Sequence, residues 1–290
     1  MVDSVIARVF PRKTMATPED NLAFYDVPGM FAPTVDEVHV SVTFTYDQAT
    51  AKELAYQWER VAPVKIGGPG WITEEYPYGD PGGAFTPGRY LRPGYIITSR
   101  GCNNRCWFCR VWRRGEIKEY PIPSGWNILD DNILATSKEH FSKVCDMLKK
   151  QKNRAEFTGG FEAKILSEWH IEKLKQLRIE RIYFAYDTPD DYKYLQVAAE
   201  MMRDMGFRLG AHRMRCYVLV GAKKDTIEKA QKRLIDVVRL GYFPMSMLYK
   251  NNDGDADGSW VKFNTKWANP YTINAKIKQI NPEFKNQEGE

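Results

Sequence analysis

Residues 213–246 read RMRCYVLVGAKKDTIEKAQKRLIDVVRLGYFPMS, and their pattern changes twice along this stretch. The first eight residues are mostly apolar, as in a buried strand. In residues 225–240 the apolar residues recur at helical spacing, and Asp225 and Glu228 have the spacing of a capping box. Gly241 then stands where a helix would end, before a second apolar run. The stretch predicts a strand, a helix and a further strand, which is the repeating unit of a parallel sheet.

The same unit recurs along most of the chain. Candidate strands begin near Tyr95, Asn127, Ala155, Glu180, Arg213 and Pro244. Helices are expected between them, including one that starts near Thr136 and Glu139. Six such units in series predict a parallel sheet, and right-handed crossovers curl it into part of a barrel. Because eight units would close the barrel, we predict an α/β fold with a partial (β/α)6 TIM-type barrel over residues 91–250.

The first ninety residues form a separate predicted unit. Alternating apolar residues in 38–44 predict a strand, residues 47–58 a helix with Asp47 as its N-cap, and residues 64–66 a second strand. The two parts of the chain also differ in net charge, which is −5 for residues 1–90 and +10 for the remainder. We therefore predict a truncated, Rossmann-like βαβ cap and connector in residues 1–90, connected through a Gly- and Pro-rich segment from Trp71.

Residues 251–290 are predicted to be a C-terminal extension without regular elements and with a frayed tail. Asp253, Asp255 and Asp257 have the spacing of the first half of a calcium-binding loop, but position twelve is Asn264 rather than Glu. A solvated acidic loop is therefore favoured over a calcium site.

The composition is that of an ordinary globular protein, with 43% hydrophobic and 27% charged residues among 290. It excludes collagen-like, coiled-coil and disordered classes. No apolar run reaches the roughly 20 residues of a membrane span, and the first residues do not form a secretory signal. We expect a cytoplasmic protein with no membrane partner.

The most informative segment is GCNNRCWFC at residues 101–109. Its thiols, Cys102, Cys106 and Cys109, follow the first strand of the repeating series, at the strand end where parallel α/β folds place active sites. Three thiolates suit an iron–sulfur cluster with one iron left open, or a zinc site that takes a fourth ligand from elsewhere. No neighbouring metal-binding motif supplies that fourth ligand, which favours the cluster. The odd total of five cysteines argues against a disulfide framework.

The CxxxCxxC motif, with aromatic Phe108 before its last cysteine, resembles that of the radical S-adenosylmethionine superfamily over residues 91–250. The resemblance implies that Cys102, Cys106 and Cys109 bind three irons of a [4Fe-4S] cluster, while the fourth binds S-adenosyl-L-methionine. It also implies a reductant such as flavodoxin or ferredoxin. Reductive cleavage of the sulfonium would give methionine and a 5′-deoxyadenosyl radical, which abstracts hydrogen from a substrate.

Seven residues match cofactor-contacting positions of that family: Phe108, Asp131, Asn132, Glu162, Asp187, Arg215 and Gly221. The resemblance places Phe108 and Gly221 near the adenine and Asp187 near the ribose. A helix cap is the alternative role for Asp187, as it is for Asp130. Arg215 would bind the cofactor carboxylate or form a surface salt bridge.

The methionine amino group would lie near the ends of the second and third strands. Asp131 and Asn132 occupy the place where the family usually has Gly-Gly-Glu, and either side chain could accept a hydrogen bond from an ammonium group. Glu162 is expected to enter the site from the third strand, whose two glycines, Gly159 and Gly160, allow close backbone approach.

The βαβ cap resembles a shortened form of the cobalamin-binding domain found in one branch of the superfamily. That branch often carries an Asp-x-His-x-x-Gly loop, whereas here Glu37-Val38-His39 is followed by Val42 in place of the glycine. We therefore expect a remnant that binds no cobalamin. The alternatives are a cobalamin-dependent radical methyltransferase and a non-catalytic zinc or iron–sulfur module that binds nucleic acid.

The substrate is not specified by these motifs. Residues 105–118 interleave arginines and a lysine with Trp107, Phe108 and Trp112, a mixture that could hold a phosphate and stack a base, or form a solvated loop. A nucleotide, a nucleic acid, a peptide and a small metabolite all stay open as substrates.

Overall fold

A computed structural model describes residues 4–79, 88–207, 212–251 and 253–280 of the chain. Its strands are β1 (Ile6–Val9), β2 (Ala23–Phe24), β3 (Glu37–Ser41), β4 (Val64–Gly67), β5 (Tyr95–Ile96), β6 (Ser99–Arg100), β7 (Lys118–Glu119), β8 (Asn127–Ile128), β9 (Ala155–Phe161), β10 (Ile179–Ala185), β11 (Met214–Val220) and β12 (Phe243–Leu248). Its helices are α1 (Gln48–Trp58), α2 (Lys138–Lys149), α3 (Glu168–Leu174), α4 (Tyr192–Asp204), α5 (Ile227–Arg239), α6 (Gly258–Ala268) and α7 (Pro270–Ile280).

The larger sheet has six parallel strands in the order β5-β8-β9-β10-β11-β12, which is also their order along the chain. Each strand begins within one residue of the position that the sequence predicts. Helices α2 to α5 connect the last five strands, as expected for an α/β fold. The connection from β5 to β8 differs, because it contains the cysteine segment and a 3-10 turn, Val111–Arg114, in place of an α-helix.

Burial explains why these units form. In β11 the alternate residues Met214, Cys216, Val218 and Val220 are at most 1% exposed, so one face of the strand lies in the core. The apolar stripe of α5 is buried in the same cluster. Cys216 joins that cluster together with Cys145 from α2, which agrees with the packing role predicted for both.

The amino-terminal sheet has four parallel strands in the order β2-β1-β3-β4 and its own core, into which Trp58 of α1 is fully buried. The predicted strands and helix are present as β3, α1 and β4, but β1 and β2 were not predicted. Asp47 stands at the N-cap position of α1 without capping it. Its carboxylate instead accepts two hydrogen bonds from Arg12, at 2.9 and 2.7 Å.

The prediction of a C-terminal extension without regular elements is wrong for residues 258–280, which form α6 and α7. Both helices contribute buried side chains to the larger core, among them Phe263 and Trp267. Asp257 caps α6 by accepting a hydrogen bond from the Ser259 amide at 2.9 Å. The tail of residues 281–290 lies outside the described residues.

Within the described parts of the chain, the helices are all too short or too polar to cross a lipid bilayer.

Gly159 of β9 lies against the backbone at the end of the neighbouring strand. A Cβ atom at this position would lie 1.9 Å from the Asp130 carbonyl oxygen, so only glycine allows the two chains to approach this closely. The close approach predicted from the sequence is therefore confirmed for Gly159. At Gly160 the reason is a different one, a φ of +106°.

We expect Gly159→Ala to lower the free energy of unfolding by about 1–3 kcal/mol, because Asp130 would have to move. Thermal unfolding followed by circular dichroism measures this change. Gly258→Ala is the matched control, since nothing lies within 4 Å of a Cβ atom there. A Gly159→Ala protein that melts with the wild type would contradict the close approach.

Candidate functional site

The cysteine loop, residues 101–117, connects the two strands of a short antiparallel ribbon. Ser99 pairs with Glu119 and Arg100 with Lys118, so both ends of the loop are held together. Gly101 opens the loop at a φ of +106°, and a Cβ atom there would lie 2.8 Å from the Ile117 Cα. The ribbon therefore holds the three cysteines on one compact loop beyond the end of β5.

Two carboxylates that follow β8 fix the start of this loop. Buried Asp130 accepts hydrogen bonds from the amide and hydroxyl of Thr98, both at 2.6 Å, and from the Ser99 hydroxyl at 2.7 Å. Asp131 accepts from the Arg100 guanidinium and the Gly101 amide, both at 3.0 Å. Asp130 therefore does not cap the next helix, which Ser137 caps instead. Asp131, predicted as a cofactor contact, is already engaged with the loop.

The three thiols are free and half-buried, and each lies close enough to another to affect its ionisation. Burial raises the pKa of all three, that of Cys106 to about 11, and the neighbouring thiols and carboxylates add to the effect. The amides of Asn104 and Val111 donate to the sulfurs of Cys102 and Cys109, each at 3.4 Å. These thiols therefore stay protonated at neutral pH unless a cation binds to them.

Among the described residues, no three or more His, Cys, Asp or Glu side chains are grouped so that they could hold a metal ion. A single-ion site such as zinc is therefore not preformed. The thiolates of an iron–sulfur cluster bind to different iron atoms and need not converge on one point. The donor set, with three free cysteines on one loop and two amides directed at their sulfurs, fits the chemistry of a cluster.

Asn132 lies beside the first cysteine and is 3% exposed. Its amide nitrogen donates to Asn103 Oδ1 at 3.2 Å and to Cys102 Sγ at 3.6 Å. Within the part of the chain that the structure describes, its buried Oδ1 has no hydrogen-bond partner. Because an unpaired buried acceptor costs about 1–3 kcal/mol, this atom is suited to a donor that a ligand would bring.

A cavity of about 350 Å³ opens next to the loop and is lined by Cys106, Phe108, Glu162 and Asp187, among others. A second cavity of about 400 Å³ shares Phe108 and Asp187 with it and extends towards α5. The structure thus brings together one cysteine and three of the predicted cofactor contacts. Burial raises the pKa of Glu162, and the neighbouring Lys164 partly offsets this effect.

Asp187 points between these two cavities. One carboxylate oxygen accepts a hydrogen bond from the Leu219 amide at 2.9 Å. Burial raises the pKa of Asp187 to about 6. The capping alternative does not apply, because the carboxylate of Asp191 accepts from the amides of Asp187 and Thr188 at this helix start.

Two predicted contacts, Arg215 and Gly221, are not among the residues that line these two cavities. Arg215 is near the amino end of β11, opposite the strand end that leads to the cysteines, where its guanidinium lies over the rings of Tyr183 and Phe243. Gly221 follows the carboxyl end of β11 with a φ of +77°, and a Cβ atom there would lie 2.9 Å from the Trp260 ring. Its neighbours Leu219 and Ala222 line the second cavity. The depth of Arg215 along β11 places it away from the strand end near the cysteines, and an alternating pattern does not reveal that depth.

Sequence reasoning missed several residues around the site. Arg114 anchors the cysteine loop by donating to the carbonyls of Pro69 and Tyr78 at 2.9 and 3.0 Å. Trp112 donates to the Cys106 carbonyl at 3.0 Å. Lys164 and Tyr194 line the first cavity. The basic and aromatic composition of residues 105–118 was the available signal for the two anchors, but it suggested a ligand surface rather than internal contacts.

Comparison with protein-family models finds no match to this chain, and comparison with curated proteins finds no significant match either.

The raised pKa of Asp187 predicts a pH-dependent stability. An ordinary aspartate in the unfolded chain titrates near about 3.9, so ionised Asp187 destabilises the fold above pH 6 and has no such effect below about pH 4. We expect Asp187→Asn to melt at a higher temperature than wild type above pH 6, because its free energy of unfolding is higher by at most about 2 kcal/mol after solvent screening. The difference should disappear as the pH falls from 6 to 4.

Melting curves between pH 4 and 8 test this expectation. Asp190→Asn, at an exposed neighbouring position, is the matched control and should show no such trend. A difference between Asp187→Asn and wild type that is the same at every pH would contradict the assignment.

Proposed function

We propose that this protein is a radical S-adenosylmethionine enzyme. The observation that carries the proposal is the placement of three free, half-buried thiols on one loop, the first of which lies beside Asn132 and its unpaired Oδ1. Cys102, Cys106, Cys109 and Asn132 are residues to which the CxxxCxxC resemblance assigns a role in the site. The finer architecture proposed with it is a partial (β/α)6 barrel, supported by six parallel strands in sequential order with helical crossovers between most of them.

Cys102, Cys106 and Cys109 would hold a [4Fe-4S] cluster. Because burial raises their pKa values, loading would release protons, and the charge of iron would replace them. The amide hydrogen bonds to Cys102 and Cys109 would then stabilise the thiolates and adjust the reduction potential. When bound, the cluster would supply the electron that cleaves S-adenosyl-L-methionine into methionine and a 5′-deoxyadenosyl radical.

The chain's own side chains would position the cofactor. Asn132 Oδ1 and the Glu162 carboxylate are the acceptors available to its amino group, on the side of the loop that carries Cys102 and Cys106. Asp187 would accept from the ribose hydroxyls with the oxygen that the Leu219 amide leaves free. Phe108 lines both cavities and would pack near the adenine.

The proposed partners follow from the same site. A flavodoxin- or ferredoxin-type reductant would supply the electron. Lys223, Lys224 and Lys229 line the second cavity, and within the described residues they have no carboxylate partner. This charge favours a negatively charged substrate, such as a nucleotide or nucleic acid, over a peptide. Five free cysteines suit the reducing cytoplasm, which is the proposed location.

We expect the alanine variants of Cys102, Cys106 and Cys109 each to lose most of the iron and all cofactor cleavage, because each thiolate binds a different iron. Cys145→Ala and Cys216→Ala are matched controls at buried core positions and should keep near-normal iron. Iron analysis and detection of 5′-deoxyadenosine after anaerobic reconstitution make the comparison.

Two outcomes would contradict the proposal. If Cys145→Ala lost iron as completely as Cys106→Ala, the three-cysteine assignment would be wrong. A protein that stays colourless after reconstitution with iron and sulfide, yet binds zinc tightly, would favour the non-catalytic module.

A separate variant tests the cofactor contacts. Glu162→Gln keeps the shape of the side chain but removes its charge, so cofactor affinity should fall by roughly ten- to a hundredfold, the usual effect of about 1.5–3 kcal/mol. Iron content should not change, and the melting temperature should not fall, because burial destabilises the charge that Glu162→Gln removes. Glu172→Gln on the exposed side of α3 is the control. Equal affinity of the Glu162→Gln and wild-type proteins would assign Glu162 to the substrate or the scaffold.

A further inference from the structure

A third cavity lies between the amino-terminal sheet and the base of the cysteine loop. The proposed function uses none of the side chains that line it. Its volume is about 190 Å³. One wall is formed by Phe10, Ser41 and Gly68, which lie at the carboxyl ends of β1, β3 and β4. The other wall includes Arg100 and Arg114 from the ribbon and the cysteine loop. We refer to this cavity as the inter-sheet crevice.

The topology of the smaller sheet places a ligand site at this point. From β1 the chain first moves to β2 on one side, and then crosses back to β3 on the other side of β1. Connections that leave two adjacent strands in opposite directions open a gap beyond their carboxyl ends, and open parallel sheets bind ligands in that gap. The position of the cavity and the order of the strands are independent observations. Both place a ligand site at the carboxyl ends of β1 and β3.

The charges around the crevice indicate which ligand it would take. Arg100 is neutralised by Asp131 at 3.0 Å. Arg114, Lys118 and Arg89 also line the crevice, and no carboxylate among the described residues lies within ion-pair distance of them. Arg114 uses two of its donors on backbone carbonyls, and the nearby carboxylate of Asp131 acts on its charge only through space, since Asp131 forms its ion pair with Arg100.

The crevice has one carboxylate without an ion-pair partner, that of exposed Glu116, against these three cations. The remaining lining is largely apolar, with Phe10, Ile97 and Leu129 among the contributors. A few directed charges in an apolar cleft are typical of sites for small organic ligands. The volume is below the roughly 300–1,000 Å³ of drug-sized sites, so the ligand must be small.

We propose that the inter-sheet crevice binds a small anionic molecule through Arg114 and Lys118, with a phosphate or a carboxylate as the recognised group. The site is independent of the proposed cluster, because neither its lining nor its charge depends on iron. A bound anion would contact the amino-terminal sheet and the cysteine loop together, and would neutralise the cation that anchors that loop.

Calorimetric titration of the purified protein with inorganic phosphate and, separately, with succinate tests the proposal and distinguishes the two groups. We expect saturable binding of one probe at millimolar or lower concentration. Arg114→Gln should weaken it by roughly ten- to a hundredfold, through loss of a charge-assisted contact. Arg113→Gln is the matched control, because Arg113 is the exposed neighbour and does not line the crevice.

Arg114 also donates to two backbone carbonyls, so Arg114→Gln removes these contacts as well as the charge. A second variant that leaves the backbone contacts in place is therefore needed. Lys118→Glu reverses a charge at an exposed position of the ribbon and should weaken binding by about tenfold, while Arg113→Glu should leave it unchanged. The proposal is overturned if neither probe binds saturably up to about 10 mM, or if Lys118→Glu binds the probe as wild type does.

Discussion

The pair of carboxylates after β8 is the contact on which the arrangement of the site depends. Strands β5 and β8 are each only two residues long, so their backbone pairing alone is a weak attachment for the first strand. Asp130 adds three buried hydrogen bonds to Thr98 and Ser99, and Asp131 adds bonds to Arg100 and Gly101. A buried carboxylate is tolerated only when it is hydrogen-bonded in this way. The cysteine loop starts at Gly101, so its position is set by residues that follow β8, the second strand of the larger sheet.

This contact also explains why residues close in sequence have different roles. Asp130, Asp131 and Asn132 follow one another at the end of β8, and all three carry polar groups suited to a ligand. The first two are satisfied by the segment that leads into the loop, whereas Asn132 donates through its amide nitrogen to Cys102 Sγ and keeps its Oδ1 unpaired among the described residues. Gly159 makes the arrangement possible from the other side, because it admits the Asp130 backbone without a Cβ atom.

The sequence was most informative where a pattern repeats. Apolar runs separated by helical periodicity located all six strands of the larger sheet, since the core-facing residues of the strands and the buried stripes of the helices are apolar. Strands β1 and β2, with four and two residues, precede the repeating series, whose spacing located β5 and β8 although these strands have only two residues each. Helices α6 and α7 were missed because they follow an acidic loop and carry few apolar residues beyond their buried stripe.

Individual site residues were harder to predict than elements. Cys106, Phe108, Glu162 and Asp187 could be placed together because each follows a strand at its carboxyl end. Arg215 could not, since its position on a face of β11 says nothing about its depth, and it lies near the other end of the strand. The partners of Asp131 and Arg114 depend on tertiary contacts more than 25 residues apart in sequence, which no local pattern records.

The electrostatics of the cysteine site have a consistent sign. The thiol of Cys106 is affected by Asp187 and Glu162 as well as by the other two cysteines, and that of Cys102 by Glu162 and Asp131. Every one of these interactions raises the pKa of a thiol, because all the groups become negative when they ionise. Burial acts in the same direction on Asp187 and Glu162. The folded chain thus places together acidic groups that are difficult to ionise at the same time. A cation bound among them would lower the free energy of ionisation of every group. A metal centre and a ligand that carries an ammonium and a sulfonium group both supply such charge, whereas an anionic group placed among these thiols and carboxylates would increase the repulsion. An anionic substrate would instead be held by Lys223, Lys224 and Lys229 of the second cavity. The same reasoning separates this site from the inter-sheet crevice, where the unpaired charges are mainly cationic and an anion would be stabilised.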